Sequence, residues 1–158
     1  MLVKVHSSRV LGMNRLLWFV VMGLLVAPVL DANSKVRKRV QEVLKQAESK
    51  DGAERKKAES ALRALGPSAL PYVLPALEHK KARVRVVAVR VIAASGTKAS
   101  GLVPPLVAGM VDKDVLVREA IQAGLVKIGR PHSRAMSGLV KLSRHENYNV
   151  RLEAIHAL

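Results

Sequence analysis

The sequence predicts an all-α chain: an α-solenoid of about four stacked two-helix repeats, the last incomplete, behind an N-terminal apolar targeting segment. Three observations carry this. Arg85, Arg118 and Arg151 recur at intervals of 33, and Gly96 and Gly129 each follow their arginine by 11 positions. Gly66 follows Arg55 by the same 11, so the pair occurs a fourth time, 30 positions before Arg85. Aliphatic residues keep the same register: Leu44, Leu74, Val107 and Val140 stand 11 before each arginine, and Leu62, Ile92, Leu125 and Leu158 stand 7 after. Self-similarity with a period of about 30–47 residues and helical offsets is the signature of stacked helix pairs.

Composition agrees with closely packed helices. Apolar residues make up 49% of the 158 positions, but aromatics only 3%, so the core is built from Val, Leu, Ile and Ala. The absence of Cys excludes disulfides, thiolate metal sites and cysteine nucleophiles. A formal charge of +15 favours anionic partners: nucleic acid, acidic lipid or acidic protein.

The chain begins with Lys4, Arg9 and Arg15 and no acid, followed by an uncharged apolar run from Leu16 to Leu30. A basic region before an apolar stretch of this length reads as a signal peptide or N-terminal membrane anchor over residues 1–32. The run is short of the roughly 20 residues a spanning helix needs. Met13 is placed to be the start of a compact signal peptide. Lys35, Arg37, Lys38 and Arg39 follow closely. They oppose translocation and suit an anionic membrane surface. The chain is therefore expected to be exported or associated with the cell envelope.

Residues 33–158 form the repeat domain, with units at about 36–66, 67–96, 97–129 and 130–158. Each unit reads as an A helix and a B helix. The A helices are expected near 36–49, 68–78, 101–111 and 133–144, and the B helices near 53–65, 82–95, 114–128 and from about 148. Val36, Val40, Val43, Leu44 and Ala47 mark one face of the first. Gly66, Gly96 and Gly129 supply the left-handed residue that ends a B helix. Pro67 and Pro131 then open the next unit, where a missing N–H is tolerated. Pro71 and Pro104 fall in first turns, whereas Pro75 is expected to bend or break its helix. The Val-rich run 84–92 would pass for a strand by propensity, but its register with the other B helices makes it helical.

Asp112-Lys113-Asp114-Val115-Leu116-Val117-Arg118-Glu119-Ala120, with Ala123 and Gly129 behind it, resembles the HEAT repeat, in particular the HEAT-like repeats of bilin-lyase-type proteins. Val84-Arg85 and Val150-Arg151 match the same core, and the resemblance covers residues 36–158. It implies acidic residues in the turn between helices, and an arginine that packs its stem over the neighbouring unit and bonds turn groups. The signature residues are then Arg55, Arg85, Asp112, Asp114, Arg118, Arg151, Gly66, Gly96 and Gly129, all structural. Departures are equally informative. Ser49, His79 and His145 stand where Asp112 stands in unit three, so an unbroken Asp–Arg ladder is not expected. The fourth unit stops at Leu158, which implies either a fragment or a helix completed by a partner.

Chemistry is sparse. His6, His79, His132, His145 and His156 form no pair with ligand spacing, and neighbouring units about 10 Å apart are too distant to share an ion with bonds near 2 Å. No Gly-x-Ser-x-Gly or phosphate-binding loop occurs. No catalytic, cofactor or metal site is expected, and the chain reads as a non-enzyme. The columns one and four after each arginine, Val86, Glu119 and Leu152 with Val89, Gln122 and Ile155, are expected on the concave surface as a candidate protein-binding face. The other reading is that they complete the packing between repeats.

The function expected is a non-enzymatic scaffold that docks an unidentified protein partner. The alternatives are a basic nucleic-acid-binding protein and, by family analogy alone, a bilin-lyase-like enzyme. Residues 33–158 keep 24 basic and 11 acidic side chains, but almost no aromatic platform for bases.

Overall fold

A computed structural model describes residues 32–128 and 133–158. The N-terminal apolar segment expected to target the chain, with Met13 and His6, and also Gly129, Pro131 and His132, lie outside the described residues. The chain divides into two compact units, Met1–Lys35 and Val36–Leu158, and the four recurring arginines all belong to the second.

The described residues are all-helical, with no strand among them. Helix α1 covers 32–46. Helix α2, Gly52–Ala64, starts on Asp51, whose carboxylate accepts the Ala53 N–H at 2.9 Å. Ending α2, Gly66 has φ +72°, and Gly96 has φ +54° beyond α4. Only a residue without Cβ adopts this conformation without strain.

The second A segment is not one helix. It runs as 3₁₀ Pro67–Ala69, α3 Leu70–Val73 and 3₁₀ Leu74–Glu78. The two 3₁₀ pieces carry Pro67 and Pro75 near their starts, where the missing donors break no bond. The third A segment has the same logic: 3₁₀ Gly96–Leu102, α5 Val103–Ala108 with Pro104 and Pro105 in its first turn, then 3₁₀ Gly109–Val111.

The Val-rich run forms α4, Ala82–Ala94, which buries Val84, Val87, Ala88, Val91 and Ile92. Tertiary packing overrides the β propensity of its valines. Helices α6 (Val115–Ile128), α7 (Ser133–Leu142) and α8 (Tyr148–His156) complete the chain. Contacts run in order between α2 and α4, α4 and α6, and α6 and α8, while α5 packs on α7.

The core is aliphatic, with Val40 and Val43 of α1, Leu62, Val73, Ile92, Leu106, Ile121 and Leu139 all buried. Where α4 meets α6, a Cβ on Gly124 would lie 3.2 Å from the Ala93 Cβ and 3.5 Å from Val89 Cγ1. The two backbones therefore approach as closely as small residues allow.

Candidate functional site

Among the described residues one turn recurs ahead of each of the four arginines. Ser49 Oγ accepts the Asp51 N–H at 3.1 Å and His79 Nδ1 accepts the Lys81 N–H at 3.2 Å. Asp112 Oδ1 accepts the Asp114 N–H at 2.9 Å and His145 Nδ1 accepts the Asn147 N–H at 3.1 Å. A hydroxyl, two imidazoles and a carboxylate thus do the same job, because each offers an acceptor a short reach from its own backbone. Six residues on, each arginine folds back onto that turn. Nη1 of Arg55, Arg85, Arg118 and Arg151 donates to the carbonyls of Ser49 (3.0 Å), His79 (2.7 Å), Asp112 (2.9 Å) and His145 (2.8 Å).

Asp114 and Asn147 cap their helices through Leu116 N–H and Asn149 N–H. Lys81 holds the equivalent place without a side-chain cap. It pairs instead with Glu48, which also lies 3.6 Å from His79 Nε2. The hydrogen bond from Lys81 holds the Glu48 carboxyl below its ordinary value, with partial burial working against it.

Between turns the ion pairs differ. Arg85 grips the Asp112 carboxylate with Nε and Nη2, both at 2.7 Å. Burial pushes the Asp112 carboxyl up. The hydrogen bonds from Arg85 and from the Asp114 backbone, with the charges of Arg85 and Lys113, outweigh it and hold the group below its usual range. Arg118 uses Nε on both Glu153 oxygens, at 3.3 and 3.1 Å. Arg85, Arg118 and Glu153 are buried, and among the described residues no buried side-chain polar atom lacks a partner. Arg151 makes no such bridge; its guanidinium lies 5.6 Å from the centre of the Tyr148 ring.

Beside these turns, α2, α4 and α6 enclose a groove of about 680 Å³. Val86, Val87 and Ala93 of α4, with Ala120 and Ala123 of α6, give it an aliphatic floor, and Leu116 stands at its edge, 61% exposed. Helix α2 lines it with Arg55, Lys56, Glu59 and Arg63; the α4 side adds Lys81, Arg83 and Arg90. Helix α6 and its cap contribute Asp114, Glu119 and Lys127.

Of the six residues expected on the concave face, the groove brings together Val86 and Glu119. Gln122, Leu152 and Ile155 do not line it, although Leu152 and Ile155 are exposed on α8. Val89 is a correction: it is fully buried at the α4–α6 crossing and presents nothing to a partner. The reason is angular. At about 100° per residue, position +4 turns only about 80° from the core columns at +3 and +7, whereas +5 lies roughly opposite them. The groove columns are therefore +1 (Lys56, Val86, Glu119) and +5 (Arg90, Ala123).

Sequence reasoning missed Glu153, Glu48 and the cation wall of Lys56, Arg83 and Arg90. Lys56 was within reach of it, since it occupies the same column as Val86 and Glu119. Among the described residues no group of three or more His, Cys, Asp or Glu is placed to hold a metal ion. Nor is any described helix long and apolar enough to cross a membrane. No protein-family model and no curated protein matches the chain.

Proposed function

We propose that this chain is a non-enzymatic interaction scaffold, a short α-solenoid of HEAT-like repeats that docks a protein partner in the groove across α2, α4 and α6. The observation that carries the docking reading is the groove: an aliphatic floor contributed by neighbouring helices, open to solvent and walled by charged side chains. A partner segment laid there buries apolar area on the floor and finds charge partners at the rim, the usual division of an interface. The HEAT-like reading is supported by the fourfold turn, with arginine Nη1 on the turn carbonyl each time. The ordered contacts α2–α4, α4–α6 and α6–α8 support stacking of successive units.

The signature arginines Arg55, Arg85, Arg118 and Arg151 are structural in this reading, since their guanidiniums are engaged in turns and ion pairs. Photo-crosslinkers placed at Leu116 and Ala123 in the native cell test the docking. Adducts are expected from both positions and none from a crosslinker at exposed Lys45 on α1. An adduct pattern equal at all three positions overturns the reading.

Export or envelope association belongs to the same proposal. It rests on the sequence of residues 1–32, and exposed Arg37, Lys38 and Arg39 on α1 supply cations that suit an anionic membrane surface. Fractionation with N-terminal sequencing tests it; a cytosolic protein with an intact N-terminus is the contrary result.

A further inference from the structure

The groove is not uniformly basic. Its α2 and α4 walls carry Arg55, Lys56, Arg63, Lys81, Arg83 and Arg90 against the single carboxylate Glu59. Its α6 wall carries Asp114 and Glu119 against Lys127. Charge therefore changes sign between the α2 and α4 side and the α6 side, with α4 and α6 one helix packing, about 8–10 Å, apart.

The cations of the first wall are not all committed. Glu59 serves Arg63, and approaches Arg90 Nη1 only at 3.8 Å; Lys81 is paired with Glu48. Arg83 reaches only a backbone acceptor, the Glu48 carbonyl at 3.4 Å. Among the described residues Lys56 has no ion pair, and Arg90 is more than half exposed. Lys56 and Arg83 thus face the groove with no carboxylate of their own, and Arg90 has only a long share of the Glu59 that Arg63 already holds. Across from them, Asp114 uses one oxygen for the Leu116 N–H, and Glu119 is exposed without an ion pair.

We infer that the groove takes a short acidic amphipathic segment of a partner protein in one orientation. Its carboxylates lie over Lys56, Arg83 and Arg90, an aliphatic side chain rests on the floor at Val86 and Ala123, and a neutral or basic end lies over Asp114 and Glu119. This deepens the docking reading and rests on it. A helix of about 14 residues spans three packed helices at 1.5 Å per residue. Amphipathic helices in grooves use such a floor for anchors and such a rim for selectivity.

Nucleic acid fits the same walls less well. No aromatic side chain lines the groove to stack a base, and Glu59, Asp114 and Glu119 interrupt any track for phosphates.

The test uses the full chain and four fluorescent probes in low salt, the fourth being an all-acidic version of the first. The first is a helix-forming peptide of about 14 residues, with Glu in one half, Leu at the centre and Lys in the other. The second has the same composition with its charges scrambled. The third is a duplex DNA of similar length. The polarised peptide is expected to bind about tenfold more tightly than the scrambled one. The paired substitution Arg83→Glu with Arg90→Glu is expected to remove that preference, and Glu119→Lys to weaken the polarised peptide while strengthening an all-acidic version. All these side chains are at least partly exposed, and circular dichroism verifies that the variants stay folded. Equal binding of scrambled and polarised peptides, or indifference to the charge reversals, overturns the oriented acidic segment. Tighter binding of the duplex than of either peptide overturns it in favour of nucleic acid. Crosslinks at Leu116 and Ala123 that persist in the charge-reversed protein would leave docking standing while sinking this inference, so the two failures are distinguishable.

Discussion

Arg85 holds Asp112 by two parallel hydrogen bonds, Nε to Oδ2 and Nη2 to Oδ1, each 2.7 Å long, across 27 positions of chain. The same guanidinium reaches back to the His79 carbonyl, and the Asp112 carbonyl in turn accepts from Arg118. Asp112 is thus a junction: its side chain takes the arginine before it and its backbone the arginine after it. Burial strengthens such a fork and also makes each half costly to leave alone.

Removing one half is therefore expected to be strongly destabilising. Arg85→Ala and Asp112→Ala should each lower unfolding free energy by roughly 3–5 kcal/mol, and the double variant by clearly less than their sum. Arg85→Lys should recover less than half, because an ammonium cannot reproduce the planar fork. Urea denaturation of the four variants beside wild type measures this. A lysine variant as stable as wild type would mean that charge alone matters at this position.

The Asp112 carboxyl is depressed in the folded state, and this fixes the sign of its pH effect. Its unfolded value is ordinary, about 3.9, so its contribution is fully present above that and is lost as pH falls through the lower folded value. The stability gap between wild type and Asp112→Asn should be constant from about pH 5 to 8 and shrink below about pH 4. Denaturation at several pH values checks it; a gap that widens in acid contradicts the assignment.

Glu153 is expected to matter as much as a turn carboxylate. Glu153→Ala strands a buried Arg118 and should cost roughly 3–5 kcal/mol. His145 occupies in its unit the place Asp112 occupies in the preceding one, so adding His145→Asp should restore part of that loss by offering Arg118 a carboxylate. In the wild-type background His145→Asp should have little effect, since Arg118 is already paired. No recovery in the double variant would argue that the fourth turn cannot approach Arg118 as Asp112 approaches Arg85.

Two glycines with opposite surroundings separate packing from propensity. A Cβ on Gly138 would sit 2.9 Å from Val107 Cγ1, whereas one on Gly101 would meet nothing within 4 Å. Overpacking of about 1–3 kcal/mol should outweigh the helix-propensity gain of about 1 kcal/mol, making Gly138→Ala destabilising. Gly101→Ala should be neutral or stabilising by up to about 1 kcal/mol. Thermal unfolding of both variants decides; a stabilised Gly138→Ala would mean that α7 moves away from α5 without penalty.

Much of this was legible along the chain. The recurring spacing put the arginines in one register, and the aliphatic columns marked α4 as a helix despite its run of β-branched residues from Val84 to Ile92. The turn residues were harder to read. Ser49, His79 and His145 look like departures from Asp112 by residue type, yet all four accept the N–H two residues ahead. Local acceptor geometry, not charge, is what that position requires. Of the six residues expected on one face, Val86 and Glu119 line the groove, while Val89 is buried one column away for an angular reason.

By itself the sequence determined the all-α class and the order of helices and turns, because helical period, prolines and glycines act over a few residues. Only the tertiary structure decided that Asp112 serves Arg85 and Glu153 serves Arg118, and that lysines and arginines of α2 and α4 face two carboxylates on α6 and its cap. Those relationships depend on how closely and at what rotation one helix lies on the next. Small residues such as Gly124 and Ala93 set that distance, and no local pattern encodes it.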